Sequence, residues 1–243
     1  MGTDGFEQSS QAGDCRLHTP AALVPENRNS KAVDLKMLIV KVKICGITNL
    51  EDARAAMQMG ADMLGFNFCR ASPRYIEPGK AAEIIWRLPA FIDTCAVFVN
   101  PTIEQIKTMI ADGLFNWVQL HGDETPEFCD SLLSLNVRVM KALRVKTAED
   151  IKNAERYYTD AVLLDAYRSD KYGGTGTTFD WNIVGHIRKR VFLAGGINPD
   201  NAARAIEVGV YGIDVCSGVE SAPGKKDHEK LRRLFENIKH LRA

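Results

Sequence analysis

From residue 38 onward, short apolar runs alternate with longer amphipathic stretches. The runs predict strands over 38–45, 62–68, 93–99, 115–120, 136–143, 160–165, 190–195 and 210–216. Between them, apolar positions recur at helical spacing and predict helices over 49–59, 78–88, 101–112, 125–134, 147–157, 180–189 and 198–208. A last helix is predicted over 226–241. Asn49, Thr102, Thr125, Thr147, Asp180 and Asn198 stand where N-caps belong, because a short side-chain oxygen can accept from the unpaired amides of a first turn. Gly60, Gly113 and Gly209 follow helix ends, where a chain turning left-handed favours glycine.

Strands this apolar and this short suit a parallel sheet covered on its outer face. Eight strand–helix pairs without a linker predict the α/β class and one (β/α)8 barrel of the phosphate-binding type over 37–243. An open doubly wound sheet is the alternative, and it usually has fewer units. Residues 1–36 differ: they are rich in Ser, Gln, Asn, Asp and Pro and have no apolar period. They read as a disordered leader. They lack a signal peptide's apolar core, and Asp4, Glu7, Asp14, Glu26 and Asp34 are too many acids for a typical transit peptide. Met1-Gly2 suggests acylation, but Phe6 breaks that motif. Met37 stands just before the first strand.

Charge narrows the function classes. Lys and Arg number 31, as do Asp and Glu, so the formal net charge is zero and gives no electrostatic case for a nucleic-acid partner. No apolar run approaches the roughly 20 residues of a membrane span. The six cysteines form no C-x-x-C pair and no zinc-spaced cluster with histidine, which favours reduced thiols in a cytoplasmic enzyme without a metal. Monomer and homodimer both remain open.

In a barrel of this kind, chemistry sits where strands end and helices begin. Cys45 follows such a strand, with Gly46 and a helix start behind it, so a helix dipole or an arginine can lower its pKa. The plainer reading is a buried structural thiol. Asp165 ends the sixth strand, as a catalytic carboxylate or as a cap or partner of Arg168. Arg74, after the second strand, offers a planar fork for a substrate carboxylate, or else a surface ion pair. His121 reads as a structural hydrogen-bonder. Cys69, Cys95 and Cys129 read as packing residues, as do Trp86, Trp117 and Trp181. Gly195-Gly196 after the seventh strand and Ser217-Gly218 after the eighth let backbone amides approach an anion, and Gly173-Gly174-Thr175-Gly176 can cover the same group. Ordinary tight turns are the bland alternative for any one of these. Glycine-rich loops after three successive strands favour phosphate.

These residues fall into blocks. They include Lys43-Ile44-Cys45-Gly46-Ile47-Thr48, Ser72-Pro73-Arg74-Tyr75-Ile76, Val118-Gln119-Leu120-His121-Gly122 and Leu163-Leu164-Asp165. Further blocks are Gly173-Gly174-Thr175-Gly176, Phe179-Asp180-Trp181, Ala194-Gly195-Gly196-Ile197-Asn198, Asp214-Val215-Cys216-Ser217-Gly218-Val219-Glu220 and Pro223-Gly224-Lys225-Lys226-Asp227. In this order, from about Lys41 to the C-terminus, the chain resembles the phosphoribosylanthranilate isomerase family of tryptophan biosynthesis. The resemblance implies an Amadori rearrangement with no redox cofactor and no metal. It implies Asp165 as general acid, Cys45 as general base and Arg74 on the anthranilate carboxylate. Gly174, Gly195, Gly196, Ser217 and Gly218 are then expected around the phosphate. Such chemistry needs a thiolate and a carboxylic acid at the same time. Cys216 departs from the pattern, which has a small residue, often Ser, at that place. Related barrels fit less well: a histidine-pathway isomerase would put Asp at position 45, and a metal-dependent epimerase would put His and Asp ligands at several strand ends. A catalytically silent phosphate-binding barrel would lack Cys45 or Asp165.

Overall fold

The computed structural model describes Met1, residues 40–166, 181–184, 187 and 189–242. The predicted leader, apart from Met1, and Gly174 lie outside the described residues. Eight parallel strands close into a barrel in chain order: β1 (Lys41–Cys45), β2 (Met63–Asn67), β3 (Asp93–Phe98), β4 (Trp117–Leu120), β5 (Arg138–Val145), β6 (Ala161–Ala166), β7 (Val191–Leu193) and β8 (Gly212–Val215). The helices α1 (Leu50–Met59), α2 (Pro78–Ile85), α3 (Ile103–Ile110), α4 (Pro126–Asp130), α5 (Ala148–Lys152) and α6 (Ala202–Glu207) connect them, and α7 (His228–Ile238) follows. The expected barrel is therefore observed.

The caps explain where several helices start. Asn49 accepts from the Asp52 amide at 2.8 Å, and Thr102 exchanges bonds with Gln105 in a capping box. The structure corrects the cap predicted for the seventh helix. Asn198 accepts from the Asp200 amide, and its own amide donates to Asn201 Oδ1, so the chain turns once more before α6 begins at Ala202. Trp86 also departs from expectation: it is 74% exposed, not packed. The buried stripe of α2 runs through Ala81 and Ile84, and a residue two positions further lies on the opposite side of the helix. Of helix 180–189, the described residues contain a single 3-10 turn, Trp181–Val184. Predicted helix 226–241 begins two residues late, because Glu220–Ala222 (β9) and Lys225–Lys226 (β10) pair as a small antiparallel hairpin.

The side-chain period of two sorts the strands into two cores. Val42, Ile44, Val162, Leu164, Ile213 and Val215 face outward and pack under the helices. The alternate positions face inward. Met140, Leu163 and Phe192 fill the barrel interior at 0–1% exposure, each burial stabilising by roughly 1.5–3 kcal/mol. Two residues beyond Leu163 comes Asp165, and two beyond Lys43 comes Cys45. The same parity that plugs the barrel thus aims these polar groups at its C-terminal mouth.

Candidate active site

Cys45, Arg74, His121, Asp165, Asp214 and Cys216 line one open cavity at that mouth, together with Gly195, Gly196 and Ser217. Cys45 comes from β1 and Asp165 from β6, so the thiol and the carboxyl approach the cavity from separate strands. Cys45 is the register partner of Gly65. A Cβ on Gly65 would stand 2.8 Å from Cys45 Sγ and 3.1 Å from Lys43 Nζ, so glycine makes room for a thiol and an ammonium side by side.

Electrostatics separate this thiol from its neighbour. Burial pushes Cys95 up to about 12. Cys45 is also buried, yet it is held well below the usual thiol range. The main cause is a hydrogen bond from Cys216, and the Lys43 and Lys226 ammoniums add to it against the cost of burial. Cys216 is pushed up by the same hydrogen bond and by burial, and so keeps its proton. Lys43 donates to Asp214 Oδ1 at 2.9 Å with its side chain fully buried. Burial raises Asp214 to about 6, with Lys43 opposing and the Cys45 charge reinforcing. One ammonium serves two acids here: it helps hold the thiol down and opposes the rise of the carboxyl.

Asp165 is 3% exposed, and its Oδ2 lies 3.2 Å from His121 Nε2. Gln119 Nε2 meets His121 Nδ1 at 2.8 Å on the far side of the ring. The loop carrying His121 is braced from below. Lys141 donates to the carbonyl of Gly122 and to Glu124 Oε2, both at 2.8 Å, and Glu124 accepts the Gly122 amide. His121 is hydrogen-bonded at both ring nitrogens, and one partner is Asp165, the acid the resemblance implies.

Arg74 bonds Glu220 through Nε at 2.9 Å and Nη2 at 2.7 Å; it lines the cavity, and its ion pair is buried rather than the surface pair that was the alternative. Nη1 bonds none of the described residues. Gly46 has φ +76°, and a Cβ there would stand 2.8 Å from Arg74 Cδ, so the residue after Cys45 makes way for the arginine stem. Glu220 also accepts from Lys226 Nζ at 3.0 Å. That same ammonium reaches the carbonyl of Cys45 at 2.5 Å and of Cys216 at 3.4 Å.

On the opposite rim, Gly195 and Gly196 have φ +85° and +69°, a left-handed pair that turns the chain after β7. Gly218 packs so closely that a Cβ would fall 1.9 Å from the Ile197 carbonyl oxygen. The loops after β7 and β8 therefore touch backbone to backbone. Sequence reasoning assigned no part to Lys43, Asp214, Glu220 or Lys226. A charged residue at an inward position of an apolar strand was a signal for the first two.

The family model described as N-(5'phosphoribosyl)anthranilate (PRA) isomerase matches residues 42–237. The chain belongs to this family. The PRA isomerase of Pelobacter propionicus is 49% identical over 209 residues, covering 84% of this chain and 98% of that one. The crystal structure of the Thermotoga maritima PRA isomerase superposes with a TM-score of 0.77 at 40% identity, over 83% of this chain and 99% of that one. A PRA isomerase solved with reduced 1-(o-carboxyphenylamino)-1-deoxyribulose 5-phosphate matches with a TM-score of 0.74 at 39% identity, again over 83% and 99%. The closed barrel and an isomerase activity in tryptophan biosynthesis follow from that membership.

Proposed function

We propose that this chain converts N-(5-phosphoribosyl)anthranilate to 1-(2-carboxyphenylamino)-1-deoxyribulose 5-phosphate, with Asp165 as acid and Cys45 as base. Asp165 gives a proton to the furanose ring oxygen, and the C1–O bond breaks to leave a Schiff base between C1 and the anthranilate nitrogen. The Cys45 thiolate then takes the proton from C2. The electron pair moves into the C1–C2 bond and gives an enolamine, which tautomerises to the ketone. No electron leaves or enters, so the steps need no redox cofactor.

The observation that carries this reading is the shared cavity, with a thiolate from β1 and a carboxyl from β6 at one mouth. Arg74 presents Nη1 to the anthranilate carboxylate. The amides around Gly195, Gly196, Ser217 and Gly218 take the phosphate, with Gly174 covering it. The relatives' names and the complexed relative support this phosphorylated small molecule as substrate.

No helix among the described residues is long and apolar enough to cross a membrane. We read the enzyme as cytoplasmic, without a nucleic-acid partner, and as a monomer or homodimer; a relative from Thermotoga maritima is named as dimeric. Residues 1–36 are read as a leader ahead of the catalytic domain, 37–243, on composition. A direct assay with freshly made N-(5-phosphoribosyl)anthranilate, following loss of its fluorescence, tests the activity. Absence of turnover by folded enzyme contradicts it.

A further inference from the structure

Cys216 is the one sequence departure that the proposed chemistry leaves without a use. It stands beside the proposed base. β1 and β8 pair in register with Ile44 opposite Val215, so Cys45 ends β1 beside Cys216, the first residue past the end of β8. Adjacent strands run about 4.8 Å apart, inside the 4.4–6.8 Å range of Cα separations that disulfides span. Both side chains line the cavity, and Cys216 Sγ also donates to Glu220 Oε1 at 3.8 Å. Lys226 holds the carbonyls of both residues on one buried ammonium, which fixes the two strand ends against each other. The other cysteines of the described residues are placed differently. Cys95 and Cys129 are buried, and Cys69 lies in the loop after β2.

We propose that Cys45 and Cys216 form an active-site dithiol that a two-electron oxidant of the peroxide class closes into a disulfide, shutting the enzyme off reversibly. The Cys45 thiolate attacks one peroxide oxygen. The O–O bond breaks, hydroxide leaves and takes up a proton as water, and Cys45 becomes a sulfenic acid. Cys216 sulfur attacks Cys45 sulfur, the S–O bond breaks, and a second water departs with the Cys216 proton. Two thiols have lost two electrons, and one peroxide has become two waters. The pair suits both steps: a thiolate is the attacking species, and a thiol at the neighbouring strand end can resolve the intermediate. A sulfur held in a disulfide has no lone thiolate to accept the C2 proton, so turnover stops. A dithiol reductant reverses the bond. The loss of turnover rests on the reading of Cys45 as base; formation of the bond does not.

The test treats the full chain with hydrogen peroxide, blocks free thiols, and reads mass and activity together. Wild type is expected to lose 2 Da and to yield a cross-link between tryptic peptides 44–54 and 205–225. Its activity should fall at least ~10-fold and return with dithiothreitol. Cys216→Ser has no resolving thiol, so excess peroxide should drive Cys45 on to the sulfinic acid. Its own activity should then stay lost after dithiothreitol. Inactivation of wild type without the 44–54 to 205–225 cross-link overturns the dithiol. Full recovery of Cys216→Ser alongside wild type overturns the resolving role. A quantitative cross-link with turnover intact leaves the dithiol standing and overturns both the switch and the assignment of Cys45 as base.

Discussion

Lys43 and Asp214 are register partners across the seam that closes the barrel, and their side chains meet at 2.9 Å inside it. The pair lies directly beneath the mouth, one layer below Cys45. It brings a buried positive charge next to the thiol while its own carboxylate keeps that charge paired. Lys43→Met removes the cation from two acids at once. Breaking a buried pair from one side typically costs roughly 3–5 kcal/mol. Urea unfolding should show a loss of that order, and alkylation of Cys45 at neutral pH should slow in the folded variant. Unchanged alkylation would mean that the ammonium does not act on the thiol.

Cys45 sets a pH dependence whose sign follows from the direction of its shift. A thiol held below its ordinary range is an anion at every pH above its lowered value. Its alkylation rate should therefore be near its plateau at pH 7 and fall only as the pH drops further. An ordinary thiol would still be gaining rate up to about pH 8.5. Stability has the same sign. The anion's contribution is present above the unfolded-state value and is lost as pH falls through the folded one. Measuring iodoacetamide uptake at the 44–54 peptide against pH checks this.

Glu220 holds Arg74 by two of its nitrogens, and Nη1 bonds none of the described residues. Glu220→Gln keeps the shape and removes the charge. Hydrogen bonds to charged groups contribute about 1.5–3 kcal/mol, so loosening the fork should raise KM roughly 10- to 100-fold with a smaller change in kcat. Arg74→Lys should do the same, because an ammonium cannot reproduce the fork. Steady-state kinetics separate the two parameters. A fall in kcat alone would contradict a binding role.

Gly218→Ala places a methyl group where the Ile197 carbonyl already stands. The loops after β7 and β8 must then part, and the amides between them lose their common aim. KM for the phosphorylated substrate and Ki for inorganic phosphate should rise together, by at least ~10-fold. Wild-type values for both would place the phosphate elsewhere.

The eight strands and their order were readable because parallel strands covered on both faces announce themselves as apolar runs. The positions of Cys45 and Asp165 at the mouth were readable from the same fact, since each lies at the end of such a run. Their inward direction was also written in the chain, as the parity that Lys43 and Cys45 share and that Leu163 shares with Asp165. What could not be read was the partner of a distant side chain. Arg74 and Glu220 are 146 residues apart, and nothing local distinguishes that buried pair from a surface one. The hairpin of β9 and β10 was missed because its polar residues carry no period of two, and its Lys226 was absorbed into the following helix. Trp86 failed for a simpler reason: a residue's helical face depends on the stripe beside it, and α2 ends at Ile85.

The central claim is that Cys45 and Asp165 act on one ribose. Single-turnover and steady-state rates of Cys45→Ala and Asp165→Ala with freshly prepared N-(5-phosphoribosyl)anthranilate, followed by fluorescence with folding checked by circular dichroism, test it most directly. A fall of at least ~10²-fold for each, with near-native unfolding midpoints, is the predicted result. Wild-type turnover by either folded variant would contradict it.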